Sequence, residues 1–281
     1  MEINTKRFKM ATADVVIGNG VSAVWLEVVS RIVNQSGKYS GPLVVSIVGF
    51  DDKGDAPLNR PVQNRLDEML LQSKCLSTEQ VAGTIFPMEF WNPAKPREDL
   101  YKRFMMAWPG LYWSTCAKKK RNGKGNYFQR MWSYSEDLDV VPEAAPLPDS
   151  YLNVPRINQL EHVISAYNNG LKRRSEFVMS IFDPRRDWNT TPYKSFPCLN
   201  QIAFREDSGE LILTAVYGKQ LIFEKAFGNY LGLCRLGKFL AHETGLRLGR
   251  IDCVASLAEL SPAKAKMRPI LDEFHAYISD E

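Results

Sequence analysis

Apolar residues from Val21 to Val33 (Val21, Val24, Trp25, Val28, Val29, Ile32, Val33) recur at the spacing of one helical face, and Asn34 to Gly37 supplies a polar, Gly-ended stop. Leu43 to Phe50, LVVSIVGF, is a short β-branched run bounded by Gly-Pro before and Asp51 to Gly54 after, the pattern of a buried strand. A further helix is expected from Val62 to Leu71, and an exposed loop where the Pro- and aromatic-rich stretch from Phe86 ends in AKKKRNGKGN, Ala117 to Asn126. After the Pro-rich connection Val140 to Pro155, the residues Ile157, Leu160, Val163, Ile164 and Tyr167 line one face of another helix, closed by Asn168, Asn169 and Gly170.

Three strand candidates follow. Glu176 to Asp183 is one, and Asn200 to Glu206 and Leu211 to Tyr217 form a pair through the four-residue turn Asp207 to Glu210. A long helix then runs from about Phe227 to His242 and closes on Gly245. Strands and helices of unequal length share the chain without regular β-α-β alternation, so the expected class is α+β, as one domain over residues 1–281.

Composition narrows the function classes. With 44% hydrophobic residues the 281-residue chain has ample material for a core. Its net charge is only +4, so it is no polycation seeking nucleic acid, and one basic loop does not replace the spread cations that phosphate backbones require. Nucleic acid is therefore not an expected partner. Five cysteines (Cys75, Cys116, Cys198, Cys234, Cys253) show neither CxxC spacing nor a nearby His, which argues against a disulfide framework and against a metal site. The start of the chain lacks an apolar leader and no stretch is long enough to span a bilayer, so a soluble, cytoplasmic protein is expected.

The chemistry-bearing segment is SFPCLNQIAFREDSGELILTAVYGKQ, followed by FGNYLGLCRLGKFLAHETGLRLG. It resembles the core of the thymidylate synthase and pyrimidine nucleotide hydroxymethylase superfamily, where a Pro-Cys pair precedes a strand, a hairpin leads to a Tyr and a phosphate-binding Arg, and an Asn opens a helix ending in Gly-Leu. INQLEHVISAYNNGLKRRSEFVMSIFDP, NYFQRMWSY and NRLDEMLL are similar to the family's paired-arginine region, its Tyr-containing loop and its catalytic-Glu helix, so the resemblance runs from about Val24 to about Gly249. It implies a thymidylate synthase-like fold, a large mixed β-sheet flanked by helices, and a homodimer formed through the sheet face.

By the same resemblance Cys198 is the nucleophile that adds to C6 of a pyrimidine nucleotide, and Glu68 relays protons. Asn229 reads the base, Lys219 stands at the phosphate-binding Arg, and Arg173 and Arg174 reach a neighbour's phosphate site. Tyr217 and Glu259 join the substrate-binding set, with Asn126, Tyr127 and Gln129 along the cleft. Methylene-tetrahydrofolate would be the one-carbon donor. The residues also have plainer readings: free Cys is usually core, Asn is an excellent N-cap, adjacent Asp67 and Glu68 suit a solvent-facing helix, and Arg173-Arg174 suits a solvated turn.

The sequence departs from the family at defined points. Leu199 replaces the His after the Cys, and the acidic folate-positioning residue is absent from Leu221 to Phe223. RIDCVASLAELS replaces the sugar-holding Gly-Asp-x-His-x-Tyr segment and puts Glu259 and Ser261 near its His and Tyr, and FHAYISDE stands where the resemblance leads to the expectation of an aromatic tail over the site. Two functions are thus expected from the sequence: a pyrimidine-nucleotide C5 methyl- or hydroxymethyltransferase, or a non-catalytic nucleotide-binding sensor or subunit of a larger assembly.

Overall fold

The computed structural model describes residues 13–35, 39–112, 125–134, 156–171, 173–188, 196–260 and 264–279. A six-stranded mixed sheet runs in the order β1-β3-β8-β6-β5-β4, with β1 at Asp14–Asn19, β3 at Leu43–Val48, β4 at Val178–Ser180, β5 at Leu199–Asp207, β6 at Glu210–Tyr217 and β8 at Arg247–Ala255. A small second sheet joins β2 (Tyr39–Ser40), β9 (Ala258–Glu259) and β7 (Gln220–Leu221). The α+β expectation holds, with helices packed against a large mixed sheet.

Two crossovers organise the sheet. Helix α1 (Gly20–Asn34) connects β1 to its parallel neighbour β3, and a long helix, Phe227–Thr244, connects β6 to its parallel neighbour β8. Strands β3 and β8 are antiparallel, so the two units run in opposite directions and step towards each other. Such crossovers are right-handed. Reversing both the strand direction and the lateral step leaves the helix on the same face, and the two helices do touch each other.

Further helices among the described residues are α2 (Arg60–Gln72), α3 (Thr78–Gly83), α4 (Arg97–Leu111), α5 (Tyr127–Trp132) and α6 (Gln159–Asn168). The long helix is α7, and α8 is Leu271–Ser279. The apolar stripe of α1 is buried throughout, and Trp25 from its middle meets Phe227 and Phe274 edge-on at 5.7 and 5.6 Å. None of the described helices is long and apolar enough to cross a membrane.

The opposite sheet face carries no helix among the described residues. One row across it reads Val15, Val44, Val254, Val216, Gln201, and the next Ile17, Ser46, Asp252, Thr214, Ala203. Val15 and Ile17 are 50% and 69% exposed there.

The structure differs from the pattern reading in several places. The stretch after Phe86 folds: α4 buries Leu100, Phe104 and Trp108, while residues 113–124, which hold most of the basic loop, lie outside the described set, as do Cys116 and the 140–155 connection. The strand expected over Glu176 to Asp183 is confined to Val178–Ser180, because Arg174–Glu176 forms a tight helical turn and Pro184 starts another. The hairpin loop is two residues, not four. Ser208 and Gly209 both take positive φ (56° and 83°), as a two-residue type I′ turn requires, and Asp207 pairs with Glu210.

Candidate active site

Cys198 sits at the entry of β5, held by its backbone. Its carbonyl accepts from the Gly218 N–H at 3.0 Å, the Asn200 amide donates to Pro197 O at 3.1 Å, and β5 bulges between Leu199 and Gln201. The Tyr127 phenol, at the start of α5, rests against the backbone of Leu199 and Cys198. Asn126 spends its side chain capping α5, accepting from the Gln129 N–H at 2.8 Å, and the Gln129 amide donates to Ser133 O at 2.9 Å. Of these three residues only Tyr127 lines the cavity.

That cavity, about 130 Å³, is lined by Leu76, Val81, Thr84, Phe196, Gln220 and Leu221 together with Tyr127, Cys198, Lys219, Lys225 and Asn229. A cavity of roughly 150 Å³ accommodates a benzene. The volume therefore suits one six-membered ring, with any larger substituent reaching outward.

Asn229 enters from α7. A π-helical turn, Ile222–Ala226, runs into α7 without a break, so Asn229 lies inside the helical segment and is not its N-cap. Its side chain is only 5% exposed and makes no hydrogen bond among the described residues. Leu221, Lys225 and Asn229 succeed one another at four-residue steps and all line the cavity. The π turn is pinned from α1, where the Trp25 indole N–H donates to Ile222 O at 2.9 Å. Gln220 has its amide engaged behind the wall, accepting from the Tyr230 hydroxyl at 3.0 Å and approaching the Cys253 sulfur at 3.5 Å.

The opposite wall comes from α3. Gly228 and Gly232 let α7 approach α3 at backbone distance: a Cβ at Gly228 would lie 2.6 Å from Thr78 O, and one at Gly232 2.8 Å from Ala82 O. Val81 and Thr84 are thereby brought to the cavity. The Phe128 N–H donates to Thr84 O at 2.8 Å and joins α5 to the same corner.

Burial pushes the Cys198 thiol up from its ordinary value, and Lys219, then Lys225, oppose the shift. Desolvation of the thiolate thus outweighs the two nearby ammoniums. Cys253 is pushed up to about 12 by complete burial, and Cys234 further. Tyr217 is fully buried behind the cavity; burial raises its phenol, as do Cys253, Tyr127, Tyr230 and Cys198, and its hydroxyl has no hydrogen-bond partner among the described residues.

The remaining sequence candidates are placed as follows. Glu259, on β9, forms an ion pair with Lys219, whose side chain is 45% exposed. Glu68 is 64% exposed, pairs with Arg65 at 3.1 Å, and does not line the cavity. Arg173 and Arg174 stand at the turn before the sheet-edge strand β4, with Arg174 3.8 Å from Glu206. The structure therefore brings together Cys198, Asn229, Lys219 and, through Lys219, Glu259, and leaves Glu68, Arg173 and Arg174 outside. Ser261 is not among the described residues.

Lys225 is absent from the sequence candidates, although it lies four residues before Asn229 and shares its helical face. Among the described residues no cluster of His, Cys, Asp and Glu could hold a metal ion. No family model matches the chain, and no curated protein matches its sequence.

Proposed function

We propose that this chain is a thymidylate synthase-like protein that binds a pyrimidine nucleotide in the Cys198 cavity and uses Cys198 as a nucleophile towards the base. The observation that carries the reading is the buried, unpartnered Asn229 amide facing the same ring-sized space as the thiol. An amide offers one donor side and one acceptor side, the complement of a pyrimidine O4/N3 edge, and an unpaired buried amide is costly unless a ligand completes it.

The chemistry follows from the groups present. The Cys198 thiolate forms a bond to C6, the C5=C6 π pair moves onto the C4 carbonyl oxygen, and C5 becomes a carbon nucleophile. Tyr127 offers a neutral hydroxyl beside Cys198. Lys219, at the exposed mouth, supplies a point charge for a phosphate. Among the described residues the cavity has room for one ring and no carboxylate lines it, which favours the base and gives a pterin no acidic partner there.

Calorimetry with dUMP, UMP, dCMP and CMP tests the reading, with Asn229→Ala as control. Binding of at least one nucleotide, weakened about tenfold or more by the substitution, supports it. Absence of binding by all four at millimolar concentration overturns it.

The non-catalytic reading, a nucleotide sensor or a subunit of an assembly, is favoured by a different observation: Glu68 is solvent-facing and the resting thiol is raised. Nucleotide binding without any exchange of the C5 proton for solvent deuterium would select it.

A further inference from the structure

We infer that Lys225 is a positioning residue for the Cys198 thiolate, the cation that stays with the sulfur when Lys219 is occupied by an anionic part of the ligand. This deepens the nucleophile reading and rests on it. Lys219 sits on a turn between strands and already pairs with Glu259. Screening by salt and competition from an anion therefore act on it directly. Lys225 reaches the cavity from a firmer base, the π-helical turn tied to Trp25 and continuous with α7. π-Helical turns are rare and recur at functional sites. Here the continuous segment carries both Lys225 and Asn229 to the cavity that Cys198 lines. Asn229 supplies the independent sign of a ligand site, being 5% exposed and without a partner among the described residues.

Among the described residues, cations and phenols act on the sulfur. Lys219 and Lys225 act on it as cations, and Tyr127 and Tyr217 lie near it as phenols held neutral by burial. Glu259 enters only through Lys219. Under the nucleotide reading a phosphate at Lys219 cancels much of that lysine's field at the sulfur. Lys225 is then the remaining counter-charge at the moment the C–S bond forms.

The test is the pH profile of Cys198 alkylation by iodoacetamide, read by mass spectrometry, in which the thiolate sulfur bonds to the methylene carbon and iodide leaves. Profiles are taken for wild type, Lys225→Met and Lys225→Arg, each with and without inorganic phosphate. The expected result is an upward shift of the midpoint by ~1 unit in Lys225→Met, or about tenfold slower labelling at neutral pH, with the Arg variant close to wild type. The shift should be larger in phosphate. A Lys225→Met profile that superposes on wild type in both buffers overturns the inference. Protection of Cys234 and Cys253 reports an intact fold; should Lys225→Met expose them, Lys225→Gln replaces it and the same superposition overturns the inference. A shifted profile without nucleotide binding would leave Lys225's action standing while the nucleotide reading fails.

Discussion

Gly228 of α7 lies so close to Val81 of α3 that a Cβ added there would sit 2.5 Å from the Val81 Cβ. Real Cβ atoms do not approach so closely, so Gly228→Ala must push α3 outward or unwind it. The displacement falls on Val81 and Thr84, which form the cavity wall opposite Asn229. Overpacking of this kind costs about 1–3 kcal/mol. Urea unfolding should show that loss, and any nucleotide affinity should fall with it. Gly83→Ala is the control, since nothing lies within 4 Å of its added Cβ. Equal stability of the two variants would show that the α3–α7 approach is not constrained by glycine.

Arg97 ties α4 to α6 and α7, donating to Glu161 at 2.7 and 2.6 Å and standing 3.4 Å from Glu243. The hydrogen bonds from Arg97 hold the Glu161 carboxyl below its ordinary range, against the opposing effect of burial. A depressed carboxylate contributes stability above its unfolded pKa and loses that contribution as pH falls through the folded value. Glu161 is partly exposed, so solvent screening limits the contribution to about 1 kcal/mol. Arg97→Met should therefore be less stable than wild type at pH 7, and the gap should narrow as the pH falls below the ordinary glutamate range. A gap that persists unchanged in acid would locate the effect in packing of the Arg97 stem.

α1 announces itself because every position on its apolar stripe is buried, so the helical period survives intact. β8 is hidden from a period-two reading: a bulge opposite Leu211 and Ile212 slips its register by one residue, so the buried series runs Leu248, Ile251, Cys253, Ala255. β1 is hidden for another reason, since its apolar Val15 and Ile17 face outward while Val16 faces in. α4 starts after Pro96 with Glu98 and Asp99 in its first turn, signals that the neighbouring prolines and aromatics obscure. At the site, the neighbourhood of Cys198, Asn229 and Lys219 follows from the motif order. The isolation of Glu68 does not, because whether α2 turns Asp67 or Glu68 inward depends on packing. Asp67 is the inward one, accepting from the Thr78 N–H at 2.7 Å and the Thr78 hydroxyl at 3.0 Å in the first turn of α3.

The uncovered sheet face gives the homodimer expectation a concrete form. Val15 and Ile17 on the edge strand β1, and Val44, Val254 and Val216 further in, make an apolar band, interrupted by Ser46 donating to Asp252 at 2.6 Å. A second copy meeting this face back to back would remove the band from water and bring Arg173 and Arg174, near the sheet edge, towards the partner. Light scattering at micromolar concentration should give a dimer, and Ile17→Arg should convert it to monomer by placing a charge in a desolvated contact. A monomeric wild type would sink both the interface and the shared arginines.

Glu259 can act in two ways, and one substitution separates them. Its carboxylate pairs with Lys219 at the mouth of the Cys198 cavity. If that is its whole role, Glu259→Gln removes the charge that neutralises Lys219 and leaves an uncompensated ammonium. The affinity for every nucleotide phosphate should then rise together, by several-fold, and Cys198 labelling at neutral pH should accelerate because Lys219 opposes the burial-driven rise of the thiol. If the carboxylate instead accepts from ribose hydroxyls, UMP and CMP should bind more tightly than their deoxy forms in wild type, and the glutamine should narrow that gap. Isothermal titration of the four nucleotides against both proteins distinguishes the cases. Parallel gains assign Glu259 to holding Lys219, a narrowed ribo–deoxy difference assigns it to the sugar, and unchanged affinities with unchanged Cys198 labelling would remove it from the site altogether.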